Sequence, residues 1–277
     1  MRSAPPPSFF AHNGRRIAYR EYGSGPRALV LTHGLLMDSR MYTGLAPVLA
    51  DGGNRVITVD MYGHGDSDQP HDLTAYSMTQ FGLDVIALLD HLGLPQAVVG
   101  GTSLGANVAL EAAVLGPERV RALFLEMPVL ENGIIAAAAA FVPLGLALRA
   151  TKPVMRALSA VTRRIPRSHY LFDVMLDFVR RDPTASLAVL DGLTFGRIAP
   201  PVAERRRLKH PTLVIGHPSD PIHPFSDADT TSRDLVGARL VKANSIYEWR
   251  VRPQRLTRAL TEFLDDVWAQ PRAVVAV

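Results

Sequence analysis

Ala97-Val98-Val99-Gly100-Gly101-Thr102-Ser103-Leu104-Gly105-Ala106-Asn107-Val108-Ala109-Leu110 decides the fold. The first five residues form a short apolar run that reads as a strand, and Leu104 to Leu115 reads as a helix. Between them, Gly101-Thr102-Ser103-Leu104-Gly105 leaves room only for a very tight strand-to-helix turn, the context in which a G-x-S-x-G match carries meaning. A serine at such an apex is held at strained φ/ψ, and its neighbours must be small because a Cβ at Gly101 or Gly105 would collide. Its Oγ then stands exposed at the positive end of a helix, where developing negative charge is stabilised. A nucleotide-binding loop is excluded, because the chain has no G-x-G-x-x-G and no Gly-Lys-Ser/Thr.

Outward from this turn, short apolar runs alternate with helical patterns, which predicts an α/β fold with a mostly parallel central sheet and helices on both faces. Ala28–Thr32 and Arg55–Asp60 read as buried strands, as do Val120–Leu125 and Thr212–Gly216. Helices are expected at Met41–Leu49, at Tyr76–Leu92, where Phe81, Val85, Leu88 and Leu92 recur at helical spacing, and at Pro253–Trp268. From Glu126 to Lys209 the rhythm changes. The segment is helical and apolar, then Arg-rich (Arg163, Arg164, Arg167), with no convincing strand. It predicts a helical cap insertion at 129–207, set into a core formed by 1–128 and 208–277.

Composition narrows the chemistry. The 277 residues hold no cysteine, which removes disulfides, thiolate nucleophiles and Cys-ligated zinc. Hydrophobic residues make up 47% and charged residues 20%, ordinary for a globular enzyme. The net charge is +4, and only Lys152, Lys209 and Lys242 among the basic residues are lysines. The run Glu204-Arg205-Arg206-Arg207-Leu208-Lys209 reads as a solvated turn, not a nucleic-acid surface, since no aromatic or recognition-helix pattern accompanies it. The start of the chain, with Pro5, Pro6 and Pro7, has no apolar secretory segment. Asn132–Leu148 reads as too short to span a bilayer and broken by Pro143, so a cytoplasmic protein without stable membrane insertion is expected.

An oxyanion hole needs two backbone N–H groups aimed at one oxygen. Leu104 supplies one as the residue after the serine. Leu35, in the Thr32-His33-Gly34-Leu35 loop after the first buried strand, supplies the other.

With these pieces in place the chain resembles the α/β-hydrolase superfamily, in its capped esterase, haloperoxidase-like and C–C-hydrolase branch. The matches are His33-Gly34, Asp60 with Gly63-His64-Gly65-Asp66-Ser67-Asp68, the Ser103 turn, and Pro211-Thr212-Leu213-Val214-Ile215-Gly216 followed by Asp220-Pro221. The resemblance implies that Ser103 is the nucleophile and Asp220 the acid that orients a histidine. It also implies substrate-contact or structural roles for His33 and Gly34. In the family the histidine follows the last strand, but here that slot falls within Ala243-Asn244-Ser245. Asparagine does not accept a proton at neutral pH, and losing such a base costs on the order of 10⁴–10⁶ in rate.

Three explanations stay open. His223, in Asp220-Pro221-Ile222-His223-Pro224, replaces the base, with Asn244 lining the substrate pocket; His169 in the cap is a less supported substitute. Alternatively the scaffold performs isomerase, cyclase or lyase chemistry by polarising a carbonyl, or it only binds a ligand. His217, Asp220, His223, Asp227 and Asp229 cluster in sequence but match no metal signature, so neither metal nor cofactor is expected. The leading reading is a cofactor-independent serine hydrolase of esterase or lactonase type acting on a small to medium apolar carbonyl substrate. The sequence does not state its oligomeric state.

Overall fold

The computed structural model describes residues 4–166, 176–177, 179–194 and 196–271. Eight strands form one sheet in the order β1-β2-β4-β3-β5-β6-β7-β8. They are β1 (Ser8–His12), β2 (Arg15–Tyr22), β3 (Ala28–Thr32), β4 (Arg55–Asp60), β5 (Ala97–Thr102), β6 (Val120–Glu126), β7 (Thr212–Gly216) and β8 (Arg239–Lys242). The β1–β2 and β2–β4 pairs are antiparallel, and every pair from β4 to β8 is parallel. The helices are α1 (Ala46–Asp51), α2 (Met78–His91), α3 (Leu104–Leu115), α4 (Glu131–Ala150), α5 (Lys152–Thr162), α6 (Pro183–Thr194), α7 (Val202–Arg205), α8 (Phe225–Asp234), α9 (Glu248–Val251) and α10 (Gln254–Ala269). This is the α/β-hydrolase fold.

The central strands are buried on both faces, which explains their unbroken apolar runs. Alternate residues sort to opposite cores. Val30, Ile57 and Val99 pack under α2 and α3 with Val85, Leu89 and Ala109. Leu29, Val56 and Val98 pack under α1 and α10 with Leu49, Leu260 and Phe263. The parallel register sets the strand ends level, with Thr32 beside Gly101, Thr102 beside Glu126, and Glu126 beside Ile215. Open α/β sheets bind their ligands along such a carboxyl edge.

Several sequence expectations need correction. The Met41–Leu49 helix is instead a 3₁₀ turn at Ser39–Tyr42 followed by α1. Pro47 lacks an N–H and its ring opposes a preceding helical turn, so α1 starts beside it. The β1–β2 hairpin turns at Asn13-Gly14 (φ 51° and 73°), the Asn-Gly signature of a type I′ turn. It lacked a readable alternation because Arg15 and Arg20 of β2 are buried. Arg20 pairs there with Asp60. Pro143 does not break the apolar helix of this segment either. α4 runs through it for 20 residues and is long and apolar enough to cross a membrane by length and composition. Pro143 withholds a bond from the Ala139 carbonyl, but both residues are exposed, where water serves that carbonyl.

Buried carboxylates tie the pieces together. Asp60 accepts N–H bonds from Ser39 and Asp66 as well as Arg20, which moulds the Gly63–Asp68 loop onto β2. Asp227 of α8 is fully buried and caps α4 from outside. It accepts the N–H groups of Leu130 and Gly133, both at 2.7 Å, and the Asn132 side chain at 3.0 Å. Glu126 joins three strand ends, accepting from Thr102 Oγ1 at 2.5 Å and standing 3.1 Å from His217 Nε2. The His217 Nδ1–H donates to the Ser245 carbonyl. Burial alone would lower the His217 pKa, but Glu126 overrides it and holds the imidazole above its ordinary 6.5.

Two outcomes follow. Asp227→Ala strands two buried N–H donors, and its denaturant midpoint should report a loss of about 3 kcal/mol. Because His217 has a raised folded pKa, the stability from its pairing with Glu126 is fully present below about pH 6.5. It fades as pH climbs through the raised folded value. A stability–pH profile of His217→Gln should lack that alkaline decline.

Candidate active site

Ser103 stands between β5 and α3 with φ 57° and ψ −116°, a conformation that L-residues avoid. The strain is held from three sides. The Ser103 N–H donates to the Glu126 carbonyl at 2.8 Å. A Cβ at Gly101 would come within 2.2 Å of the Thr32 carbonyl oxygen, and one at Gly105 within 2.0 Å of the same atom. Only glycine at both positions lets α3 lie this close to β3. Beneath the turn, Tyr42 donates to the Thr32 carbonyl at 2.8 Å and lies 3.1 Å from Thr102 Oγ1. This links the turn to the Glu126–His217 pair. From the sequence, Glu126 has no site role and His217 is taken up only within the cluster held against metal signatures, although each ends or follows a strand at the carboxyl edge.

Of the predicted site residues, the structure brings Ser103, His223 and Asp220 together. The His223 Nε2 lies 2.7 Å from Ser103 Oγ. On its other side, Nδ1 lies 3.2 Å from Asp220 Oδ1. That approach lacks hydrogen-bond alignment, because both residues ride one turn and Oδ1 already accepts the N–H groups of Ile222 (2.8 Å) and His223 (2.9 Å). Burial would raise the Asp220 pKa, but His223 and these backbone donors bring it down to about 2. The carboxyl is therefore ionised throughout the neutral range. His169 lies outside the described residues.

Leu35 and Leu104 both line the cavity in front of Ser103. The Leu104 N–H is the first of α3, where helix geometry supplies no carbonyl partner. His33 and Gly34 do not line that cavity, contrary to expectation. His33 is fully buried, donating from Nδ1 to the Gly34 carbonyl and accepting from the Met61 N–H at Nε2. His64 is buried against it and accepts the Leu36 N–H. Burial lowers the pKa of both rings, so they act as neutral braces for the 33–37 loop. Asn244 is likewise away from the cavity, exposed and bonded to Glu248.

The cavity holds about 400 Å³. Its walls are apolar, with Leu104 and Leu35 from the core, Ile134, Phe141 and Val142 from α4, and Leu190 from α6. Arg149 and Asp191 also line it and are bonded to each other. A larger cavity of about 540 Å³ borders Asp38, Arg40, Arg180 and Arg181. Its arginines are engaged by Asp38, Asp177 and backbone carbonyls, and Ser103 is not among its walls. The candidate metal ligands serve separate partners: His217 faces Glu126, His223 faces Ser103, and Asp227 caps α4. Among the described residues no three His or acidic side chains converge.

Comparison with known proteins agrees with the fold. A family model described as the alpha/beta hydrolase fold matches residues 27–160. The mouse bifunctional epoxide hydrolase 2 is 39% identical over 110 residues, covering 40% of this chain and 20% of that protein. The first curated relatives are matched over only 20% to 44% of their own length. The enol-lactonase of Burkholderia xenovorans LB400 superposes with a TM-score of 0.75 at 24% identity, covering 93% of this chain and 100% of that one. A probable hydrolytic enzyme of Pseudomonas aeruginosa PAO1 superposes with a TM-score of 0.72 at 26% identity, covering 95% of each chain. These likenesses agree with the eight-stranded sheet described above: the chain has the α/β-hydrolase fold and is similar to enzymes built on it.

Proposed function

We propose that the protein is a cofactor-independent serine hydrolase of esterase or lactonase type, acting on a small to medium apolar acyl substrate. The observation that carries this reading is the 2.7 Å approach of His223 Nε2 to Ser103 Oγ at the floor of an apolar cavity. In this mechanism His223 takes the Oγ proton as Oγ attacks the acyl carbon. The N–H groups of Leu35 and Leu104 receive the developing oxyanion. The imidazolium then returns its proton to the departing oxygen, leaving an acyl-Ser103 ester. Water, deprotonated by the same imidazole, releases the acid and restores the serine. Asp220, ionised and 3.2 Å from Nδ1, stabilises the imidazolium formed in each half-reaction.

Serine chemistry also selects among the activities named for relatives. Attack of Oγ on an epoxide carbon would leave an alkyl ether, which water does not cleave under these conditions. Attack on an acyl carbon leaves an ester, which it does. The reading therefore lies closer to the lactonase named among the structural neighbours than to the epoxide hydrolases. In this reading the insertion at 129–207 is the cap of the 1–128 and 208–277 core, and among its described residues α4 and α6 supply the apolar roof of the cavity. The cavity suits an apolar acyl group.

Turnover of p-nitrophenyl butyrate tests these roles. Ser103→Ala should abolish it, and His223→Ala should lower kcat by about 10⁴-fold with little change in KM. Asp220→Asn should cost a comparable factor, with circular dichroism confirming a folded protein in each case. Full turnover by His223→Ala would remove that histidine from the mechanism. Absence of turnover and of covalent labelling by a fluorophosphonate in the folded wild type would contradict the hydrolase reading.

A further inference from the structure

The helices over the cavity leave much of their apolar surface uncovered. α4 packs inward on α6 through Leu144 and Leu148, which cluster with Leu187 and Leu190. The opposite side of α4 carries Ile135, Val142 and Leu146 at spacings of seven and four, and they are 74%, 55% and 59% exposed. α5 repeats the arrangement. Met155 and Ser159 face inward, while Val154, Leu158 and Val161 form a second stripe, with Val154 66% exposed. Single exposed apolar residues are ordinary, but two adjoining helices that each present an apolar stripe mark a contact surface.

The charge of the same segment says what makes the contact. Residues 132–166 contain no aspartate or glutamate, yet they carry Arg149, Lys152, Arg156, Arg163 and Arg164. Arg167 lies outside the described residues. Acidic groups stand at its margin, Glu131 one turn before Ile135 and Asp191 paired with Arg149, so the face carries a net positive excess. Such an apolar, cationic face complements an anionic phospholipid surface, where side chains enter the headgroup–acyl boundary and arginines meet phosphates. A second copy of the chain would bring these like charges together.

We infer that the outer face of α4 and α5 docks the protein peripherally on anionic phospholipid membranes. Val142 and Leu146 also line the cavity, so docking opens the pocket mouth towards the acyl region of the bilayer. This goes beyond the hydrolase reading, and vesicle binding is measured without turnover, so the two can fail separately.

Flotation with phosphatidylglycerol/phosphatidylcholine vesicles and with pure phosphatidylcholine vesicles tests the inference, using the full chain. Binding is expected only to the anionic vesicles and should be largely lost in 0.5 M salt, a screening length of about 4 Å. The Ile135→Ser/Val154→Ser/Val161→Ser variant should partition at least about tenfold more weakly. Its turnover of soluble p-nitrophenyl butyrate should equal wild type, showing that it is folded. No binding of wild type, equal binding to neutral vesicles, or unchanged binding of the variant would overturn the inference. So would a wild-type dimer in sedimentation velocity that the variant converts to monomer, with no vesicle binding by either.

Discussion

The Thr32 carbonyl oxygen sets the closest approach in the molecule that matters for the site. α3 must pass over β3 at a distance that excludes any Cβ at Gly101 or Gly105. That contact is possible only if the chain reverses within one residue after β5, which drives Ser103 to positive φ. The strain is offset by what grips the turn, including the Glu126 carbonyl on the Ser103 N–H and the Tyr42–Thr102–Glu126–His217 chain below it. Preorganisation of this kind is characteristic of reactive sites, where local strain persists because the surroundings over-determine it. Everything in front of the serine, from the helix N–H groups to the cavity, depends on that bend.

In the proposed mechanism the acid and the base stand close together in the chain. Asp220 and His223 occupy one four-residue turn, so the histidine reaches Ser103 from the same loop as its carboxylate. Such closeness fixes the pair without help from a distant strand, but Asp220 Oδ1 must also serve two backbone N–H groups. The resulting contact with Nδ1 is electrostatic more than directional. The space beyond β8, where the resemblance places a histidine, is organised by Asn244 and Glu248. His217 takes the Ser245 carbonyl as one of its two partners. Of the His217–Glu126 and His223–Asp220 pairs, it is His223 that reaches the serine.

Much of this architecture was legible in the sequence because its signals are local. Buried parallel strands advertise themselves as apolar runs, and β3, β4 and β7 occur where those runs stand. The G-x-S-x-G turn requires its glycines for reasons visible in five residues. What escaped depends on distant partners. β2 hides its pattern because Arg20 is neutralised by Asp60, forty residues away. β8 is a four-residue edge strand with charged ends. Glu126 and His217 are ninety-one residues apart and meet only through the strand register. The imidazole of His33 looked available to a substrate, yet burial and two backbone partners commit it to bracing the loop.

The central claim is that Ser103 Oγ attacks an acyl carbon whose oxygen then lies between the amides of Leu35 and Leu104. A crystal structure of the protein inactivated with a p-nitrophenyl alkylphosphonate measures this directly. The account predicts a covalent bond from Ser103 Oγ to phosphorus, with the phosphoryl oxygen accepting both amide N–H bonds at about 2.7–3.1 Å. The alkyl chain should lie between Phe141 and Leu190. An adduct on any other residue, or a phosphoryl oxygen turned away from those two amides, would contradict it.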